Sequence, residues 1–476
     1  MDTTIAPVDA QRAAYPVRQG NHIELWFSEL PFYTRLLEAM RQAQHSVWIT
    51  ISFLNRDFRF PSGERWWDVL EALAQDGKDV RILYWRNPAF FSPRNVFQGS
   101  PQDLAFLKKI GARWSARWDS SGQHPGHCHH QKTWIIDADT PHAVAFVGGM
   151  VKTQDNLPQR VALGGQERRH DVTLELRGPC TKDVAHNFVQ RWNAPGADPS
   201  SPAPWPDQNT AGDLPFPTHN PAKQGQTTVQ IHRTIRPGLY RPDDCTPFPI
   251  HRGETSIYEA YKNALNAAQS TIYLENQHPG EETLLDALQK ALDRGVDVLY
   301  VVPSLPMEAI CKEKNRAKQG PTRYRNVFNT LAALASHPRF TLAGLCRPAP
   351  WHPEGLEEVY VHAKVCIVDG CWGTVGSANM VDLSMAPDHT EMNASFWGQR
   401  EALDALKRLI GAHAYPTHLP QDSDTSVLTA AGALARRNAT QKRLGKPLSG
   451  AIYALDPRAY GDTFGQVALW SATEPV

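Results

Sequence analysis

The pattern histidine, any residue, lysine, four residues, aspartate occurs twice in this chain. It stands at His130, Lys132 and Asp137, and again at His362, Lys364 and Asp369. One copy is weak, because a half-buried strand often carries a lone His and Lys. Two copies, with their histidines 232 residues apart, are much harder to dismiss and point to an internal duplication. Around the second copy Val359, Val361, Ala363, Val365 and Ile367 alternate, which predicts one strand with His362 and Lys364 on one face. Asp369-Gly370 predicts a tight turn into a strand from Trp372 to Val375, and Gly376-Ser377-Ala378-Asn379 a small-residue loop. An imidazole, an ammonium, a hydroxyl and a carboxamide then meet near one end of a hairpin. An imidazole serves as nucleophile or general acid/base. Ammonium, hydroxyl and amide groups hold phosphoryl oxygens.

The repeat extends beyond the motifs. Phe32 to Gln44 and Trp66 to Gln75 read as helices, Ser46 to Phe53 and Val80 to Trp85 as strands. The same order returns in the helical stripe Ile257, Tyr261, Ala264, Leu265, Ala268 and the strand Thr271 to Glu275. A second stripe, Leu284 to Leu292, and the strand Val296 to Val302 follow. Ala43 and Ala268 stand 225 residues apart, and the helix-ending glycines Gly77 and Gly295 stand 218 apart. The expected fold is α/β: two pseudo-repeated α/β/α sandwich halves, each with a mixed, mostly parallel sheet, packed around one shared active site. The expected domains are an irregular lead-in, 1–21, a first half, 22–193, a linker, 194–226, a second half, 227–411, and an unassigned extension, 412–476.

Forty-nine basic residues balance 49 acidic ones, so no global field draws the chain to nucleic acid. No run of about 18 apolar residues predicts a membrane span. The N-terminus has neither a basic nor an apolar segment of the Sec type, so residence in the cytoplasm or export without such a signal is expected. Seven cysteines without a C-x-x-C pair argue against a disulfide framework. The run His124, His127, Cys128, His129, His130 is crowded, and no second cluster completes a zinc set. It reads as a loop delivering His130, and neither metal nor cofactor is expected.

The two motifs, with Gly376, Ser377 and Asn379 after the second, resemble the phospholipase D superfamily. The likeness runs from about Ser46 to Phe396 and includes Phe188 to Asn193, Val229 to Thr234 and Tyr273 to Gln277. The first copy departs from the pattern: Gly149 stands where serine is usual and Val151 where asparagine would be. The resemblance implies a phosphodiesterase that hydrolyses or exchanges phospholipid headgroups through a phosphohistidine. His130, Lys132, Asp137, His362, Lys364 and Asp369 would form its catalytic motifs. His130 would attack and His362 would act as acid and base. Lys132, Lys364, Ser377 and Asn379 would bind phosphate. Asp171 would orient His130 and Glu391 would orient His362. Asp137 and Asp369 end their strands, and read as turn formers supporting the site rather than attacking groups. The expected partner is phospholipid at a membrane surface, met by a monomer. A nuclease, a cardiolipin synthase-like phosphatidyltransferase and a non-catalytic binder are the alternatives on this scaffold.

Overall fold

A computed structural model describes residues 5–9, 14–85, 96–97, 101–110, 113–119, 128–150, 168–193, 212–239, 248–322, 324–349, 355–386, 388–414 and 423–471. Val151, His124, His127 and residues 194–211 of the expected linker lie outside them.

The first half contributes strands β1 (Arg18–Trp26), β2 (Ser46–Ile51), β3 (Asp79–Trp85), β4 (Ser115–Asp119), β5 (Thr133–Ile136), β6 (Val144–Gly148), β7 (Arg169–His170) and β8 (Thr173–Arg177). The second contributes β9 (Thr227–Ile235), β10 (Thr271–Glu275), β11 (Asp297–Val301), β12 (Phe340–Pro348), β13 (Leu356–Val361), β14 (Val365–Val368), β15 (Trp372–Gly376) and β16 (Glu391–Trp397). Pairing in the first sheet runs β4-β3-β2-β5-β6-β8-β1. In the second it runs β12-β11-β10-β14-β15-β16-β9, the same order with the same directions. In each sheet the first three strands pair in parallel and the next four pairings are antiparallel, so the sheet is mixed and five of its seven named strands share one direction. The motif strands are joined by short reversals, and such a connection can only produce antiparallel neighbours. β1 pairs with β9, so the sheets meet at an edge.

The helices form where apolar stripes find a sheet face. Glu29–Gln42 buries Phe32, Tyr33, Leu36, Leu37 and Met40, and Trp66–Gln75 buries Trp66, Leu70 and Leu73. Gly77 and Gly295, at φ +81° and +92°, stop the helices before β3 and β11, a conformation glycine takes without strain. One core is common to both halves: Val147 and Leu174 pack in the same cluster as Val361, Ala394 and Phe396. The helix Thr181–Asn193 adds Phe188 and Trp192 to it. The extension is structured. Its helix Asp424–Arg443 packs on the common core, and a further strand, β17 (Ile452–Leu455), pairs with β12. β1 begins within the stretch read as irregular, and Tyr15 before it is fully buried.

His232 on β9 is buried, and burial pushes its pKa down to about 3. An unfolded histidine takes its proton near pH 6.5, so the folded state loses stability as pH falls below that value. From pH 7 to pH 5 this one side chain is expected to remove about 2 kcal/mol. Denaturant midpoints at the two pH values should differ less in His232→Gln than in the parent. An unchanged difference would refute the assignment.

Candidate active site

The second motif does not lie on one continuous strand. β13 ends at Val361, His362 to Lys364 cross over, and β14 begins at Val365. The crossing has a cause. β13 pairs with β7 of the first half in parallel, Val361 opposite His170, whereas β14 lies between β10 and β15. The His362 amide donates to the His170 carbonyl at 2.7 Å. The first motif mirrors this: His129 bridges Thr390 in parallel, and the His130 amide donates to the Thr390 carbonyl at 2.8 Å.

Each motif histidine is therefore paired one residue before a carboxylate of the opposite half. His362 Nδ1 donates to Asp171 Oδ2 at 2.7 Å. His130 Nδ1 lies 3.0 Å from both oxygens of Glu391. This corrects the expected assignment, which gave Asp171 to His130 and Glu391 to His362. Local spacing favours a carboxylate of the same half, but the parallel register across the halves exchanges the partners. With each Nδ1 proton on a carboxylate, each Nε2 carries the free lone pair.

Lys132 and Lys364 are fully buried, and each ammonium donates to the carbonyl of its own motif histidine. Lys364 also reaches Gln277 Oε1 at 3.3 Å. Asn379 is 7% exposed, in the loop after β15. Ser377 is placed differently from expectation: its hydroxyl donates to Glu391 at 2.5 Å, so it supports the carboxylate instead of facing a phosphate. Ser384 gives Glu391 a second hydroxyl at 2.6 Å.

Asp137 and Asp369 stand at the ends of their strands opposite the motif histidines, where they accept backbone amides. Asp369 accepts the amides of Gln269, Ser270 and Thr271 at 2.8–2.9 Å. Asp137 accepts those of Gln44, His45 and Ser46 at 2.7–3.1 Å. Both have positive φ, +52° and +53°, as turn residues there must.

Gly149 differs from serine for a steric reason. A Cβ there would lie 2.2 Å from Asp171 Oδ1, so the shorter aspartate occupies the space a serine needs. The Gly149→Ser variant, which restores the commoner residue, is expected to move Asp171 off His362 and lower kcat/KM about 100-fold. Activity within threefold of the parent would contradict it.

Burial dominates the electrostatics. It pushes His130 down to about 4 and His362 well below the ordinary imidazole range. It likewise brings Lys132 down to about 8 and Lys364 well below its usual value. Lys132 and His389 add to the depression of His130, and Arg169, Lys364, Lys132 and His130 to that of His362. His130 is among the charges acting on His362, so the two rings occupy one electrostatic site. Burial also raises Asp171, against Arg169 and Lys364. Burial opposes ionisation of Glu391 too, yet His130 and His389 hold its pKa well below the usual range. An entering phosphodiester brings negative charge that raises every depressed cation.

Several neighbours carried no assigned role in the sequence reading. Gln277 bridges Lys364 and the Tyr360 hydroxyl, to which its amide donates at 2.8 Å. Its stretch was legible as family-like, its role was not. The His389 ring lies 5.9 Å from that of His130, and Arg169 lies 3.5 Å from Asp171. No pattern marked Ser384. Behind the cleft, Glu275 takes His170 Nε2 at 2.7 Å and His413 Nε2 at 2.8 Å. Among the described residues these three form the one group with metal-ligand spacing, and their hydrogen bonds already join the halves.

The geometry agrees with comparisons to known proteins. A family profile described as cardiolipin synthase, PLD-like domain, matches residues 261–410. Phospholipase D alpha 2 of Oryza sativa subsp. japonica is 29% identical over 360 residues, covering 54% of this chain and 44% of its own length. Cardiolipin synthase of Listeria welshimeri is 22% identical over 370 residues, covering 76% of this chain and 63% of its own. With the doubled motif, these matches support membership of the phospholipase D superfamily. The chain spans about half the length of the curated superfamily members it matches. The fold is also that of a solved phosphatidylserine synthase from Haemophilus influenzae Rd KW20. That likeness has a TM-score of 0.54 at 12% identity, over 83% of this chain and 87% of the other. Among the described residues no helix is long and apolar enough to cross a membrane.

Proposed function

We propose that the chain is a metal-independent phosphodiesterase of phospholipase D type, acting on glycerophospholipid headgroups through a phosphohistidine. The observation that carries this reading is the crossed pair of imidazoles, each held through Nδ1 by a carboxylate of the other half. His130 Nε2 attacks phosphorus while the bond to the headgroup oxygen breaks. His362, protonated under the influence of the phosphodiester charge, gives its proton to the departing oxygen. His362 then takes a proton from water or an acceptor alcohol. That oxygen displaces His130 from phosphorus. Lys132, Lys364 and Asn379 hold the non-bridging oxygens, where charge must be stabilised in both transition states. The superfamily's precedent favours His130 as nucleophile. Its tautomer is held by Glu391 and by the Ser377 carbonyl, 3.1 Å away.

The test uses purified protein with phosphatidylcholine, cardiolipin and single-stranded DNA, each with EDTA, and with and without a primary alcohol. Choline release insensitive to EDTA and abolished by His362→Ala is expected, with a His130 peptide carrying the phosphatidyl group in quenched reactions. Retained turnover in His362→Ala overturns the reading. The Listeria relatives, which match 76% of this chain, favour phosphatidyl transfer as the second reading. Cardiolipin formation from phosphatidylglycerol would select it. The balanced net charge weighs against a nuclease.

A further inference from the structure

The first motif lacks the asparagine that the second provides as Asn379, because Val151 stands in its place. The structure offers another donor from the same half. Alternation on β7 turns His170 toward Glu275 and His413, so Arg169 and Asp171 on either side of it share the opposite face, the one that meets His362. Arg169 lies beside Tyr360 in the parallel register with β13. Its Nη2 is 3.5 Å from Asp171 Oδ2, the same oxygen that accepts His362 Nδ1. The side chain keeps 15% of its exposure, whereas Asp171 keeps none. Its charge bears on His362, on Lys364 and on Lys132 across the cleft.

We propose that Arg169 is a phosphate ligand of this site, donating to a non-bridging oxygen of the phosphodiester in place of the first-half asparagine. This rests on the reading of the cleft as a phosphodiester site. A guanidinium suits the task, since it stays charged when desolvated and offers two donors to two oxygens. The arrangement also couples binding to proton transfer. Arg169 and His362 share one carboxylate oxygen. When the guanidinium turns to the phosphate, Asp171 Oδ2 is left to His362 while Oδ1 keeps the Val172 amide, and the imidazole holds its proton more firmly just when it must act as acid.

Tungstate, a phosphate mimic that needs no turnover, separates this idea from the catalytic reading. Calorimetry should show parent protein binding tungstate, Arg169→Met binding it at least tenfold more weakly, and Arg169→Lys falling between them. KM for a phosphodiester substrate should rise in the same order. Binding by Arg169→Met within twofold of the parent overturns the proposal, as does a parent that binds no tungstate. If Arg169→Met does not fold, the affinity of Arg169→Gln decides by the same criterion. Loss of tungstate binding in a protein that turns over no phosphodiester would retain Arg169 as an oxyanion ligand while the catalytic reading fails.

Discussion

Replacing Asp171 with asparagine is expected to reduce turnover about 10⁴-fold, the scale seen when a buried carboxylate stops fixing a catalytic imidazole. The carboxylate accepts the Nδ1 proton of His362 at 2.7 Å and has no exposure to water. An amide in its place can present its NH₂ group to the ring. That stabilises the tautomer with the proton on Nε2, which removes the lone pair needed for base catalysis. The pairing makes the prediction specific. In ¹⁵N-labelled protein, Asp171→Asn should displace the Nδ1–H resonance of His362 and leave that of His130 in place. Glu391→Gln should do the converse, because Glu391 holds His130. If Asp171→Asn moves the His130 signal instead, the crossed arrangement is wrong.

Asp369→Ala is expected to destabilise the fold by about 3 kcal/mol or more without touching the chemistry. Three backbone amides, those of Gln269, Ser270 and Thr271, and the Ser270 hydroxyl all donate to this carboxylate. Hydrogen bonds to a charged acceptor each contribute about 1.5–3 kcal/mol, discounted here because the site is partly exposed. Alanine at φ +52° adds roughly 1 kcal/mol of backbone strain. Asp137→Ala removes the matching contacts to Gln44, His45 and Ser46 and should behave alike. Urea midpoints measure the loss. The fraction that remains folded should keep kcat within a few-fold of the parent. A folded variant without activity would restore these aspartates to the catalytic machinery.

Much of the architecture was legible before any coordinates. Helix Trp66–Gln75 and strand Thr271–Glu275 fall where periodicity placed them, because a single buried face imposes its repeat directly on the residues. The break at His362 to Lys364 was not legible. Alternation continues through it in the sequence, while the chain changes its hydrogen-bonding partners in space. Ser377 was misplaced for a related reason: its hydroxyl can serve a phosphate or a neighbouring carboxylate, and only the position of Glu391 decides.

The sequence by itself determined that the chain is doubled, that each copy carries a histidine and a lysine two residues apart, and that an aspartate five residues on turns each hairpin. Those are local facts, written in spacing and periodicity. Tertiary structure alone decided which carboxylate serves which imidazole, and why Gly149 leaves room for Asp171. Both depend on β13 meeting β7, and His129 meeting Thr390, across the boundary between the halves. Residues separated by 191 and 261 positions are joined there, and no short-range pattern records that contact.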